Sequence, residues 1–391
     1  MITQKARTWT GIGLAVLLAA TVFPAGAGAQ EFVYRHTFKS TALNRNDRTG
    51  RRVTLSEKYA LVSSTQAHDG VAKICDLASR ELVFAVPPPK RGRDGHYGSR
   101  FDVHADTALI CGKGYDREPE THRAILFDIP TGRRLHRLYE PGPGVKTGFA
   151  DACALSDRHA LVGALTSGQD KRGAAFLYDT ATGKLIRRFD PPSPQRWGRF
   201  GAQVALSGKY AVISARAVRQ SHLDEGAVHI FDVETGALLQ MLHPKLFSRS
   251  RTLGFAISGD RLLVGTTKAK GREHKTAVAL LFDIPTGQLI RRFAPPPDLR
   301  LDSFGGSVAL NEKWALIGAS TARAPDESYY GAAFLYDVST GALVQTITRP
   351  ESIGGLFAVS VALQGNNILI GHWRDSLLNS GAAHLFRAGQ P

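Results

Sequence analysis

The sequence predicts an all-β fold, a seven-bladed β-propeller of four-stranded blades. Three observations predict it: a repeat of near-constant period, four strand-like runs in each repeat, and complementary fragments at the two chain ends. The repeat is clearest at Phe200-Gly201-Ala202-Gln203-Val204-Ala205-Leu206-Ser207-Gly208-Lys209-Tyr210-Ala211-Val212-Ile213, and it returns over 304–317. Counterparts of Gly201 fall at Gly50, Gly98, Ala150, Thr252, Gly305 and Ala358, so the units follow one another at intervals of 48, 52, 51, 51, 53 and 53 residues. So regular a period marks one supersecondary unit used seven times. Composition agrees, since 40 glycines and 19 prolines against two methionines favour many short strands and turns over helices.

Within a unit the elements follow in order. Two short apolar runs, 204–206 and 210–214 in the fourth unit, are split by a tight polar turn, which is a hairpin signal. A third run follows, as at 173–178, 226–231 and 331–336. Then comes an Asp-x-x-Thr-Gly turn at 128–132, 179–183, 232–236, 283–287 and 337–341. The aspartate can accept backbone N–H bonds within the turn, and the glycine supplies a positive φ. Five matching copies point to turn chemistry rather than to metal ligands or catalytic acids. A fourth run, such as 184–189 or 288–293, completes the sheet.

The chain ends supply the closure. Residues 1–29 read as a signal peptide: Lys5 and Arg7, an apolar run over 11–23, then Ala27-Gly28-Ala29 as an A-x-A cleavage pattern. The apolar run is short for a membrane span, which needs about 20 residues. No cysteine precedes Cys75 and there is no twin-arginine pair, so the expectation is general export to the periplasm or beyond, with no integral span after cleavage. Residues 30–391 are then the propeller. Its first strand, 32–38, has the character of a fourth strand without a unit, whereas the last unit has a third run, 381–386, and no fourth. Joining the two closes the ring and covers edges that would otherwise invite aggregation.

The phenylalanine-glycine start, the Val-Ala-Leu strand and the second strands Ala315-Leu316-Ile317-Gly318-Ala319 and Ala160-Leu161-Val162-Gly163-Ala164 resemble FG-GAP repeats, the modules of the integrin α-subunit propeller. The resemblance covers nearly all of 32–391 and implies a fold more than an activity. Calcium-binding members of that family carry an Asp/Asn-rich loop between the first and second strands. Here that connection is Ser207-Gly208-Lys209, Ser156-Asp157-Arg158 or Asn311-Glu312-Lys313, too short and too basic to supply six to eight oxygen ligands, so no metal is expected there. The Asp-x-x-Thr-Gly-x-Leu stretch also resembles the repeats of pyrroloquinoline quinone dehydrogenases. Those place a docking tryptophan where this chain has Arg187, Arg291 or Gln240, and no cofactor is expected. The Trp-Asp and Gly-His pairs of WD-repeat propellers are not in register.

Charge and loop chemistry bound the function. Removing a leader with two basic residues and no acidic ones lowers the net charge from +15 to +13. Such a balance attracts anionic partners, of which nucleic acid is the least available after export. The three cysteines, Cys75, Cys111 and Cys153, sit in apolar strand patterns and read as buried small hydrophobes. Tight first-to-second and third-to-fourth connections make one face of the disc uniform. The longer, variable connections gather on the other, where function tends to lie. That face carries Arg91, Arg93 and His96 in one connection, Arg196, Trp197 and Arg199 in another, Arg272 in a third, and His372, Trp373 and Arg374 in the seventh unit. Aromatic rings beside arginines suit acidic sugars, the ring stacking on a pyranose and the guanidinium pairing with carboxylate or sulfate. The leading expectation is a monomeric, non-enzymatic binding or adhesion scaffold for an acidic polysaccharide or a protein. Two alternatives stand beside it: a polysaccharide lyase or hydrolase using a base such as His96, His222, His274 or Tyr330, and a structural subunit of an envelope complex.

Overall fold

Short apolar runs punctuated by Gly and Asp turns fold here into 28 strands arranged as seven antiparallel four-stranded sheets, with no helix among the described residues. The computed structural model describes residues 31–39, 49–63, 72–86, 98–112, 123–142, 148–168, 170–194, 196, 198–215, 227–242, 253–266, 277–297, 299, 301, 303–321, 331–350, 356–373 and 381–389. The first strand is β1 (Phe32–Lys39). Blade 1 is β2 (Val53–Leu55), β3 (Tyr59–Ser63), β4 (Ala72–Asp76) and β5 (Leu82–Val86); blade 2 is β6 (Arg100–His104), β7 (Thr107–Gly112), β8 (Arg123–Asp128) and β9 (Arg134–Leu138). Blade 3 is β10 (Phe149–Leu155), β11 (His159–Ala164), β12 (Ala174–Asp179) and β13 (Leu185–Phe189), and blade 4 is β14 (Val204–Ser207), β15 (Tyr210–Ala215), β16 (Ala227–Asp232) and β17 (Leu238–Leu242). Blade 5 is β18 (Leu253–Ser258), β19 (Arg261–Thr266), β20 (Val278–Asp283) and β21 (Leu289–Phe293), and blade 6 is β22 (Ser307–Leu310), β23 (Trp314–Ala319), β24 (Ala332–Asp337) and β25 (Leu343–Ile347). Blade 7 is β26 (Leu356–Gln364), β27 (Asn367–Trp373) and β28 (Ala382–Ala388), completed by β1, which pairs with β28 from Phe32↔Ala388 to Lys39↔Ala382. The ring closure read from the chain ends is therefore present. The inner strands β2, β6, β10, β14, β18, β22 and β26 each touch the next, and β26 touches β2. Residues 1–30, the expected leader among them, lie outside the described residues, and no helix of the described chain is long and apolar enough to cross a membrane.

The repeat motif itself is the blade-to-blade joint. At the Gly201 position the backbone has a positive φ in all six described units: Gly50 (77°), Gly98 (73°), Ala150 (65°), Gly201 (84°), Gly305 (82°) and Ala358 (61°). This conformation turns the carbonyl toward the preceding blade, where it meets the glycine of that blade's second strand. A Cβ added at Gly163 would lie 2.1 Å from Gly201 O, one at Gly265 2.1 Å from Gly305 O, and one at Gly371 2.0 Å from Gly50 O. A phenylalanine before four of the joints anchors them: Phe149, Phe200, Phe304 and Phe357 are all fully buried.

A second set of joints lies on the tight-turn face. In the Asp-x-x-Thr-Gly turns the aspartate accepts the threonine N–H, at 2.7 Å in Asp179–Thr182, Asp232–Thr235 and Asp337–Thr340, and the glycine takes φ of 67–79°. The third described residue of the outer strand reaches over the next blade's turn. Arg187 Nη2 donates to Glu234 O at 3.0 Å, Arg291 Nη1 and Nη2 donate to Thr340 O and Ser339 O at 2.8 and 2.6 Å, and His136 Nε2 lies 2.8 Å from Ala181 O. Blade 7 has no such turn, and Gln345 grips the chain start instead: its Nε2 donates to Phe32 O and its Oε1 accepts from Phe32 N, both at 2.9 Å.

A substitution of Gly163 by Ala is expected to destabilise the protein by about 3 kcal/mol, because the methyl group must displace a neighbouring blade. Gly208→Ala, at φ 52° with nothing within 4 Å of the added carbon, should cost only about 1 kcal/mol. Denaturant titration of the two variants checks the joint; equal losses would contradict it.

Candidate functional site at the channel mouth

The inner strands begin on the loop-rich face, so their first residues line the mouth of the central channel. Two positions after each joint stands a column of equivalent residues: Arg52, Arg100, Ala152, Gln203, Gly254, Ser307 and Ser360. Each is paired with the Ser, Cys or Gly of the second strand of its own blade. The column stitches inner strands together. Ser307 Oγ accepts from Val361 N at 2.9 Å, Ser360 Oγ accepts from Val53 N at 3.1 Å, and Arg100 Nε donates to Asp151 O at 3.0 Å. Asp102 does the same for three blades at once, accepting from Leu155 N at 2.8 Å, Val103 N at 2.9 Å and Thr54 Oγ1 at 3.4 Å.

Arg52 departs from that pattern. Its backbone is tied to Ser63, by Arg52 N to Ser63 Oγ at 2.9 Å and Ser63 N to Arg52 O at 3.0 Å, but its guanidinium joins no ion pair and donates no hydrogen bond among the described residues. Withdrawal from solvent, and then the neighbouring Arg100, push its pKa down to about 9; Arg51 adds to the repulsion, and Asp102 and Cys153 oppose it. Arg100 is lowered as well, by burial first, with Asp151 opposing and Arg51 contributing. Burial raises Asp102, against the pull of the Leu155 and Val103 N–H groups. Exposed Arg51 stands with its guanidinium carbon 5.5 Å from the centre of the Trp373 ring. Blades 7, 1 and 2 thus bring one half-buried indole and three guanidiniums to the channel mouth. Among the described residues Asp102 and Asp151 oppose the three positive charges, and a guanidinium in such a place can pair bidentately with a carboxylate or sulfate.

Of the residues singled out by sequence, Trp373 belongs to this cluster. His372 lies in β27, 1 % exposed, with Nδ1 3.3 Å from His384 Nε2 and its ring edge-on to Phe357 at 5.6 Å. Arg196 is exposed and Arg199 half-buried with φ 50°, both between blades 3 and 4 and so apart from Trp373. Arg91, Arg93, His96, Trp197, Arg272 and Arg374 lie outside the described residues, as do His222, His274 and Tyr330. Arg51, Arg52 and Arg100 were not singled out. The signal for them was the Arg51-Arg52 doublet straight after Gly50, together with the column that appears when the units are aligned. Cys75 and Cys111 are buried and Cys153 half-buried, all three as free thiols; burial, then the bond to Cys153, raises Cys111 well above the usual thiol range.

No family model matches this chain, and no curated protein matches it. Among solved structures it is similar to the WD40 repeats of RRP9, at 10 % identity and a TM-score of 0.57 over 93 % of this chain and 99 % of that one. It is also similar to hydrazine synthase of Kuenenia stuttgartiensis, at 14 % identity and a TM-score of 0.58 over 89 % of this chain and 97 % of that one. Likeness at this level of identity shows a shared propeller fold.

Asp102→Ala should lower stability by about 1–3 kcal/mol, since it strands the Leu155 and Val103 amides without an acceptor. Arg52→Gln should raise the thermal midpoint, because it removes a desolvated charge beside Arg100. Thermal unfolding in low-phosphate buffer measures both, and a midpoint lowered by Arg52→Gln would show that this guanidinium serves the fold.

Proposed function

We propose that this chain is an extracytoplasmic, non-enzymatic binding scaffold, FG-GAP-like in architecture, that presents its basic loop-rich face to an acidic polysaccharide. The propeller fold fits a binding scaffold. The observation that carries the anionic partner is the Arg51–Arg52–Arg100 cluster, where one guanidinium has no partner among the described residues and is held below its ordinary pKa by burial and by its neighbours. A bound carboxylate or sulfate relieves that repulsion and gains charge-assisted hydrogen bonds. Trp373 beside Arg51 offers a flat apolar surface to a sugar ring next to the charged group. Arg196 and Arg199 lie on the same face between other blades, within the reach of a polymer rather than of a single sugar, and further contacts along one chain raise its avidity.

The test is retention on immobilised anionic and neutral polysaccharides across a salt series. The wild-type protein should be held by the anionic matrices alone and released by salt, as exposed charge pairs are screened. The Arg51→Gln, Arg52→Gln double variant should elute at distinctly lower salt. Equal retention on neutral matrices, or none at low salt, would overturn the reading.

A further inference from the structure

The repeat has three columns that change character at one seam. The extra residue of the outer-strand bulge is apolar in six blades, Val83, Leu135, Ile186, Leu239, Ile290 and Val344; in the closing strand β1 it is Arg35. The residue opposite the start of the second strand is an aspartate in six blades, as in Tyr210↔Asp232 and Trp314↔Asp337; in blade 7 the pair is Asn367↔Arg387. The turn position with positive φ is glycine in blades 2 to 6 and Arg80, at φ 66°, in blade 1. A β-carbon in that conformation is strained, and such strain gathers at functional sites.

All three arginines line one cleft of about 430 Å³, between the outer edge of blade 7 and the turn of blade 1. Leu77 and Leu385 wall it, Asn367 is buried beside it, and no acidic residue lines it. Asn367 stands where blades 1, 4 and 6 place Tyr59, Tyr210 and Trp314, and the smaller side chain leaves the space. Among the described residues the guanidiniums of Arg35, Arg80 and Arg387 join no ion pair. Blade 7 needs no acid at its aspartate position, because it has no turn there for a carboxylate to hold. That accounts for a missing aspartate but not for an arginine, nor for arginines in two other columns that converge on the same space.

We propose that this seam cleft is an oxoanion site for a sugar-sized ligand carrying a phosphate or sulfate group. Three planar donor forks with no acidic residue lining the cleft among the described residues suit a tetrahedral oxoanion, and Arg is the side chain that recognises such groups by paired hydrogen bonds. The volume falls in the range of small-molecule sites, roughly 300–1,000 Å³, and exceeds what a bare ion needs. The apolar walls suit the carbon face of a sugar. The site lies on the tight-turn face, away from the channel mouth, and does not depend on the polysaccharide reading.

His36 provides an internal reporter, since burial and then Arg80 lower its pKa. An anion in the cleft screens Arg80, so the His36 titration should move upward when the ligand is bound. The experiment is calorimetric titration of the full protein with glucose 6-phosphate, glucose 6-sulfate and glucose, with the His36 ring followed by NMR. The wild type should bind either charged sugar and not glucose. Arg80→Gly, which gives blade 1 the residue that the other turns use, should weaken binding about tenfold with an unchanged or higher thermal midpoint. Arg387→Gln should weaken it similarly, and the His36 titration assigns the bound ligand to this cleft. No binding of the charged sugars, binding undiminished by Arg80→Gly, or a His36 titration unmoved by ligand would overturn the proposal.

Discussion

A carbonyl oxygen set against a missing side chain governs this ring. At Gly50, Gly201, Gly305 and Ala358 the peptide turns into the left-handed region and presses its carbonyl onto the second strand of the blade before it. The receiving residue is Gly163, Gly265, Gly318 or Gly371. A larger side chain there would wedge the blades apart. The hydrophobic cores depend on that approach, because they lie between blades rather than within them. One joins Trp314 and Leu316 of blade 6 to Phe357, Val361 and Ile368 of blade 7; another joins Leu161 and Leu177 of blade 3 to Ile213 and Phe231 of blade 4. No blade buries its own faces, so the spacing set by the backbone contact decides whether the apolar side chains meet.

This also explains why so much of the fold was legible. Phe200-Gly201 and Gly163 mark joints where the backbone conformation and the close approach permit little else, so they recur in the sequence with the period of the structure. The aspartate turns were readable for the same reason, being local chemistry repeated within five residues. The closing strand was readable from what the ends lacked. The channel mouth was not, because Arg52 and Arg100 are 48 residues apart in sequence and meet only through the ring. Polar residues are usual in loops, whereas these arginines stand at the start of inner strands, Arg52 just before β2 and Arg100 at the first residue of β6. His372 looked like a loop residue beside Trp373 and Arg374, yet the β27 ladder runs on through it and places its ring in the core.

The geometry is seven-fold and the chemistry is not. Stitching between inner strands is done by Ser307 and Ser360 on one side of the ring and by Arg100 and Asp102 on the other. Outer-strand docking passes from His136 to Arg187, Arg291 and Gln345 without changing its role. A joint made by backbone leaves side chains free to vary, and positive charge has gathered where blades 7, 1 and 2 adjoin. The closing blade is the one unit assembled from the first and last strands of the ring, and it is where the repeat's own requirements are weakest.

The pairing of β1 with β28 has a kinetic side. Phe32 and Ala388 are neighbours in the sheet but stand 356 residues apart in sequence, so the first strand of the ring must wait for the last. Until then an edge of β1 and an edge of β28 are both unsatisfied, and the remaining blades form an open arc. Contacts of such long sequence separation are slow to form and leave intermediates exposed to misassembly. A ring built this way cannot close before its last strand is available, and the same latch that delays its maturation then makes its opening a concerted event rather than a fraying from one end.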